Sequence, residues 1–265
     1  MLNVGIIGLG VGERHIAGYK KHPECRVIKI CDLDKEKLKT CSEKYNDIST
    51  TTSAEEILTD QSIDVVSIAS YDFDHCDQIL LGLENKKHLF VEKPICTNFL
   101  ELDSITFALN QNPDIKFSSN LILRKSQRFI DLREQVKKGN FGDLYYLEGD
   151  YDYGRVKKIL SGWRATMDSY SIMNGGGIHL IDLILWIHNK RVSEVFGYGN
   201  KIITNNKNNL KNDFVSALLR FEDKSCAKIT ANFGSVTKHH HKVCVYGSKK
   251  TFVQSHTGAA YFNNR

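Results

Sequence analysis

The strongest constraint on this chain is an alternation that runs from the amino terminus to Asn120. Short runs rich in valine and isoleucine ("NVGIIGL", "RVIKICD", "DVVSIAS", "HLFVEKP", "IKFSSN") are separated by segments of helical periodicity, among them "DKEKLKTCSEKY", "DHCDQILLGLENK" and "NFLELDSITFALNQN". A strand that is followed by a helix and then by another strand returns parallel to the first, with the helices covering the sheet. The reading is an α/β fold with a Rossmann-type, doubly wound parallel sheet.

After an amphipathic segment, "RFIDLREQVKKG", the pattern changes. "DLYYLEGDYDYG", "SEVFGYGNKIIT", "DFVSALLRFED", "SCAKITANFGS" and "HKVCVYGS" read as longer strands, interrupted by one strong helix from Gly177 to His188. This predicts an α+β domain with a largely antiparallel, open sheet. The expected division is residues 1–122 and 123–265, and the asparagine-rich stretch at 205–209 reads as a hairpin loop.

Composition narrows the function classes. The net charge of +5 comes from 36 basic and 31 acidic residues that form no long like-charged block, so a nucleic-acid partner is not expected. Seven cysteines without a C-x-x-C pair argue against a zinc ribbon and a disulfide framework, and fit reduced thiols in a cytoplasmic protein. The best apolar helix, "IHLIDLILWI", carries Asp182 and is too short to span a bilayer, so no membrane association is expected.

The stretch "GIIGLGVGERH" (Gly5 to His15) leaves the first strand and opens a helix. Gly8 and Gly10 supply the first half of a G-x-G-x-x-G dinucleotide loop, but the third glycine, Gly12, comes one place early. Such a loop lets backbone N–H groups approach a pyrophosphate at a helix amino terminus; the alternative is an ordinary flexible turn. Asp32, at the end of the second strand, stands where a carboxylate accepts hydrogen bonds from ribose hydroxyls, and its charge favours NAD over NADP. It could instead cap the next helix, but Asp34 can take that role and leave Asp32 free. "HLFVEKPIC" ends its strand in Glu92 and Lys93, where a side chain points into the ligand crevice of a doubly wound sheet.

The glycine loop, strand-terminal Asp32, "EKP", Asn120 and "GGGIHLID", in this order over nearly the whole chain, resemble the Gfo/Idh/MocA family of NAD(P)-dependent oxidoreductases, which includes glucose-fructose oxidoreductase and inositol dehydrogenase. The resemblance implies an NAD-dependent dehydrogenase acting on a secondary alcohol of a sugar, cyclitol or nucleotide sugar. It makes G-x-G-x-G-x-x-H a variant of the family loop, with His15 on the first helix. It assigns the cofactor to Gly8, Gly10, Gly12, Asp32, Glu92, Lys93, Asn120, Trp163 and Arg164. It gives Lys93 the substrate oxygen and His179 the proton, with Asn120 as a further substrate contact. A homo-oligomer, dimer or tetramer, is also implied.

Two departures from the family pattern qualify these expectations. Gly175 replaces an aspartate that often lies four residues before the histidine; Asp182, on the same helical face as His179, is a possible orienting acid. Family members usually continue beyond the strand of "HKVCVYGS", so a shortened second domain is expected. These departures keep alive a non-catalytic nucleotide-binding or regulatory homologue as an alternative. Another is an enzyme that uses bound NAD for transient oxidation during elimination or glycoside cleavage. His75 matches a family histidine that opens a helix, where capping is an ordinary role. In the run from His239 to His241 strand alternation separates the middle ring from its neighbours, and no metal is expected.

Overall fold

The computed structural model describes residues 1–167, 169–204 and 210–263, so the asparagine-rich stretch at 205–209 lies outside the described residues. The chain divides into two compact units, Met1–Asn120 and Leu121–Arg265.

The first unit holds strands β1 (Leu2–Ile7), β2 (Cys25–Cys31), β3 (Ser49–Thr51), β4 (Val65–Ile68), β5 (His88–Val91) and β6 (Phe117–Ser119). All pair in parallel, in the order β3-β2-β1-β4-β5-β6. The helices are α1 (Gly12–Lys20), α2 (Lys35–Lys44), α3 (Ala54–Leu58), α4 (His75–Glu84) and α5 (Phe99–Asn110). Because both faces of the sheet are covered, the central strands are apolar on both sides. Val4, Ile6 and Ile30 pack with Ile16 and Leu38 on one face, while Ile7, Val66 and Ile68 pack with Ile57 and Ile79 on the other. Each such side chain, fully buried, contributes roughly 1.5–3 kcal/mol. The strand order reverses between β1 and β4, the place where open sheets of this kind bind ligands.

Helix starts follow local chemistry. Asp34 caps α2 by accepting from the N–H groups of Glu36 and Lys37. Asn98 caps α5 by accepting from Glu101 N–H, and the Glu101 carboxylate reaches back to Thr97 N–H at 2.6 Å.

The second unit is built on a seven-stranded sheet. Its strands are β7 (Leu144–Asp152), β8 (Val192–Asn200), β9 (Phe214–Phe221), β10 (Cys226–Asn232), β11 (His240–Gly247), β12 (Lys250–Ser255) and β13 (Gly258–Asn263). Their order is β13-β12-β11-β7-β10-β9-β8, antiparallel throughout except between β7 and β10. Helices α6 (Gln127–Lys137), α7 (Val156–Leu160) and α8 (Ile178–His188) accompany it. Leu180, Leu183, Ile184 and Ile187 of α8 pack with Leu147, Ile229, Val243 and Val245 of the sheet in one core.

Several elements go beyond the sequence pattern, the five-residue helices α3 and α7 among them. β3 is an edge strand of three residues, too short to show alternation. The β12–β13 hairpin follows the last strand expected from the sequence, and all of β13 is exposed. Met173–Gly177 forms one π-helical turn leading into α8.

Candidate functional site

In the first unit the candidate residues gather at the carboxyl ends of the strands. Gly8 has φ +86°, and a Cβ there would collide with the carbonyl of Ala69 after β4, so only glycine fits. A Cβ on Gly10 would meet nothing within 4 Å, so the loop lies open there to an incoming ligand. Gly12 starts α1 and lies tight against the sheet, where a Cβ would stand 3.1 Å from Ile6 Cγ2 and 3.3 Å from Ala69 Cβ. The early third glycine therefore has the work of a fingerprint glycine, close packing of helix on strand.

Asp34 takes the cap of α2, as expected, and Asp32 makes other bonds. Its Oδ2 accepts from Leu9 N–H at 2.7 Å and its Oδ1 from Asp34 N–H at 2.9 Å. The carboxylate thus ties the glycine loop to the end of β2. Each oxygen still has a lone pair for a ribose hydroxyl. The Lys37 ammonium stands 3.8 Å from Oδ1.

At the end of β5, Glu92 Oε1 accepts from the Asn120 side-chain amide at 2.5 Å and lies 3.2 Å from His15 Nε2. Burial opposes its ionisation, but the hydrogen bonds from His15 and Asn120 and the nearby Lys93 charge prevail, so its carboxyl titrates below the usual range. Asn120, expected to touch cofactor or substrate, anchors Glu92. Lys93 follows, half-buried, before Pro94. His75 is fully buried at the start of α4, and its Nδ1 lies 2.7 Å from the Pro94 carbonyl. That oxygen only accepts, so Nδ1 carries the proton. His75 braces the Lys93–Pro94 turn, a role beyond the helix capping considered from sequence.

The second unit gathers a different cluster around Tyr151 of β7. The His179 ring, on the first turn of α8, stacks on Tyr151 at 6.3 Å, and His239 and His241 approach the same phenol at 5.1 and 5.0 Å. Phe233 stacks on Tyr153 at 4.6 Å. His240 turns away and stacks on His256 at 3.7 Å, as strand alternation requires. Burial, reinforced by the neighbouring histidines, pulls the His241 imidazole down to about 4, so the ring is neutral at pH 7.

The glycine run is dictated by this packing. A Cβ on Gly175 would overlap the Tyr170 hydroxyl, and one on Gly176 would stand 2.5 Å from Tyr151 Cε1. The position of the aspartate common in the family is therefore closed by Tyr170. Asp182 does not replace that acid for His179: it forms a two-pronged pair with Arg124 at 2.8 and 2.5 Å. Trp163 and Arg164 lie in a 3₁₀ turn, with the guanidinium 4.3 Å from the Trp163 ring centre and 5.7 Å from that of Tyr170.

Sequence reasoning did not single out Ser67, Tyr151, Tyr153, Phe233, His239 or His241 as site residues. The only signal was the alternation of aromatic and imidazole residues in "YDY" and "HHH", which shows a shared face only once β7 and β11 are paired.

Residues 2–119 match the model of the oxidoreductase family with an NAD-binding Rossmann fold, and residues 129–253 match the Gfo/Idh/MocA C-terminal domain. The chain belongs to the Gfo/Idh/MocA family. It is an NAD-binding oxidoreductase, as the sequence motifs implied. It is similar to the myo-inositol 2-dehydrogenase of Thermotoga maritima, 24% identical over 256 residues that cover 94% of this chain and 73% of that protein. The D-glucoside 3-dehydrogenase of Escherichia coli is 25% identical over 197 residues, 70% of this chain and 54% of that one. In fold it resembles the scyllo-inositol dehydrogenase of Lactobacillus casei, solved with NAD(H) and scyllo-inositol: TM-score 0.86, 20% identity, 98% of this chain and 81% of that one. No described helix is long and apolar enough to cross a membrane.

Proposed function

We propose that this family member is an NAD-dependent dehydrogenase that oxidises a secondary alcohol on a cyclitol or sugar ring. The observation that carries the reading is the glycine loop: Gly8 is forced, Gly10 is open, and Asp32 is fixed beside them by Leu9 N–H. That combination fits a dinucleotide, with the pyrophosphate at the amino terminus of α1 and the adenosine ribose at Asp32. The Asp32 carboxylate repels a 2′-phosphate and favours NAD over NADP, with the exposed Lys37 ammonium beside it reducing that repulsion. Bound NAD would supply the hydride acceptor.

The chain's own residues supply binding and proton handling. Lys93 holds the substrate hydroxyl oxygen and stabilises the negative charge that grows on it. His179 takes the hydroxyl proton. Glu92 and Asn120 fix the nucleotide side of the Lys93 turn, and Trp163 and Arg164 complete the cofactor contacts. The half-buried ring of Tyr153, backed by the buried Phe233 that stacks on it, offers an apolar face to the C–H bonds of a ring polyol, which agrees with the cyclitol and sugar substrates in the names of the relatives. Phe196, Tyr198 and Leu218 expose a shared apolar patch on β8 and β9, and this patch supports self-association into a dimer or tetramer.

The test is NADH formation with myo-inositol, scyllo-inositol and glucose, for the wild type and for Lys93→Ala and His179→Ala. Turnover of one of them that falls about 10²–10⁴-fold in each variant supports the assignment. Wild-type NADH binding without turnover of any ring polyol would favour a non-catalytic homologue.

A further inference from the structure

We infer that His15 is a positioning residue for the nucleotide: a buried relay from Ser67 through His15 to Glu92 holds one carboxylate oxygen still, so that the other can accept a hydrogen bond from the cofactor. The inference rests on the dehydrogenase reading above and deepens it.

His15 lies on α1, one turn beyond the glycine loop, with only 10% of its side chain exposed. Its ring packs edge-on against Phe90 of β5 at 5.4 Å. Nδ1 is 2.9 Å from the hydroxyl of Ser67 on β4, a residue with no exposed surface, and Nε2 is 3.2 Å from Glu92 Oε1. Nε2 is buried and makes no hydrogen bond of full geometry, so its tie to Oε1 is a contact at ion-pair distance, in which a carboxylate that only accepts draws the proton to Nε2. In the neutral ring Nδ1 is then the acceptor, and Ser67 donates to it.

The geometry at Glu92 decides the relay's purpose. His15 and the Asn120 amide converge on the same oxygen, Oε1. Oε2 makes no hydrogen bond to any described residue, so it is the acceptor presented to a nucleotide hydroxyl. The groups involved come from α1, β4, the end of β5 and the residue after β6. Through them the helix that starts at the glycine loop is mechanically tied to the turn that carries Lys93. An imidazole serves here because it is rigid and can accept at one nitrogen while donating at the other.

The experiment is a fluorescence titration with NADH of the wild type, His15→Phe, His15→Gln, Glu92→Gln and the double variant His15→Phe/Glu92→Gln, each confirmed folded by circular dichroism. Phenylalanine keeps the ring packing and removes both polar contacts; glutamine keeps a donor where Nε2 stands. The expected result is a Kd raised about tenfold by His15→Phe, and held within about threefold of wild type by His15→Gln. The relay also predicts that His15→Phe adds little once Glu92→Gln is present, because the two act as one unit. Equal affinity of folded His15→Phe and wild type would overturn the inference, as would a His15→Gln variant as weak as His15→Phe. If His15→Phe does not fold, Ser67→Ala replaces it: weaker binding supports the relay and unchanged binding overturns it. Failure of the wild type itself to bind NADH would overturn the cofactor reading and the inference with it.

Discussion

Gly8, Gly10 and Gly12 are three glycines held by three different requirements, and the difference is measurable. At Gly8 the backbone has positive φ and no room for a Cβ, so Gly8→Ala is expected to lower stability in a denaturant titration. At Gly10 the protein leaves open space, so Gly10→Ala should change stability by no more than about 0.5 kcal/mol. The same variant should weaken NADH binding about tenfold or more, because the new methyl occupies the phosphate's approach. Loss of stability in Gly10→Ala with unchanged binding would remove this loop from the cofactor site. Gly175 presents the opposite case. Restoring the family's acid with Gly175→Asp drives a side chain into Tyr170, and overpacking of this kind costs roughly 1–3 kcal/mol. The expected readout is a lower midpoint in urea without a gain in turnover.

Among the elements, β11 brings a titrating group into the core of the second unit. His241 sits opposite Tyr151 in the β7–β11 ladder, with its folded-state value pulled from 6.5 to about 4 by burial first and by His239 and His240 second. A depressed folded value means that the unfolded chain takes up the proton first. Its share of stability is complete above pH 6.5 and is lost as the pH falls towards 4. For a shift of this size the loss is at most about 3 kcal/mol. His241→Asn should therefore flatten the decline in unfolding free energy between pH 6.5 and 4, as measured by urea titrations at a series of pH values; an unchanged slope would show that another group sets it. Glu92 works in the same direction. Its lowered value contributes stability above the ordinary glutamate range, lost as the pH falls through the folded value.

Elements differed in how well the sequence announced them. The helices α2, α4 and α5 and five of the six parallel strands stood out because their periodicity ran over whole segments. β3 and β13 did not, since short edge strands carry no buried face to pattern. The same physics separates the site residues. The places in the fold of the proposed site residues Gly8, Asp32 and Lys93 were legible because a backbone constraint or a strand end fixes them. Asp32's bond to Leu9 N–H and Asp182's pairing with Arg124 depend on which side chains meet across a sequence gap, and no spacing rule reports that. Tyr151 and His241 became neighbours only through the register of two strands far apart in the chain.

For the whole molecule, the glycine loop, Asp32 and Lys93 lie in the first unit and His179 with the aromatic cluster lies in the second. If the proposed self-association runs through the exposed patch of Phe196, Tyr198 and Leu218, Phe196→Glu/Leu218→Glu should shift the mass measured by light scattering towards the monomer. A wild type that is already monomeric would contradict that part of the account. Binding of NAD by the glycine loop and Asp32 is read out by calorimetric titration of NADH and NADPH into the wild type and Asp32→Ala. The wild type is expected to prefer NADH, and Asp32→Ala to weaken NADH about tenfold while narrowing the preference against NADPH. Folded wild type that binds neither nucleotide, or an Asp32→Ala variant that binds NADH as tightly as the wild type, would contradict it.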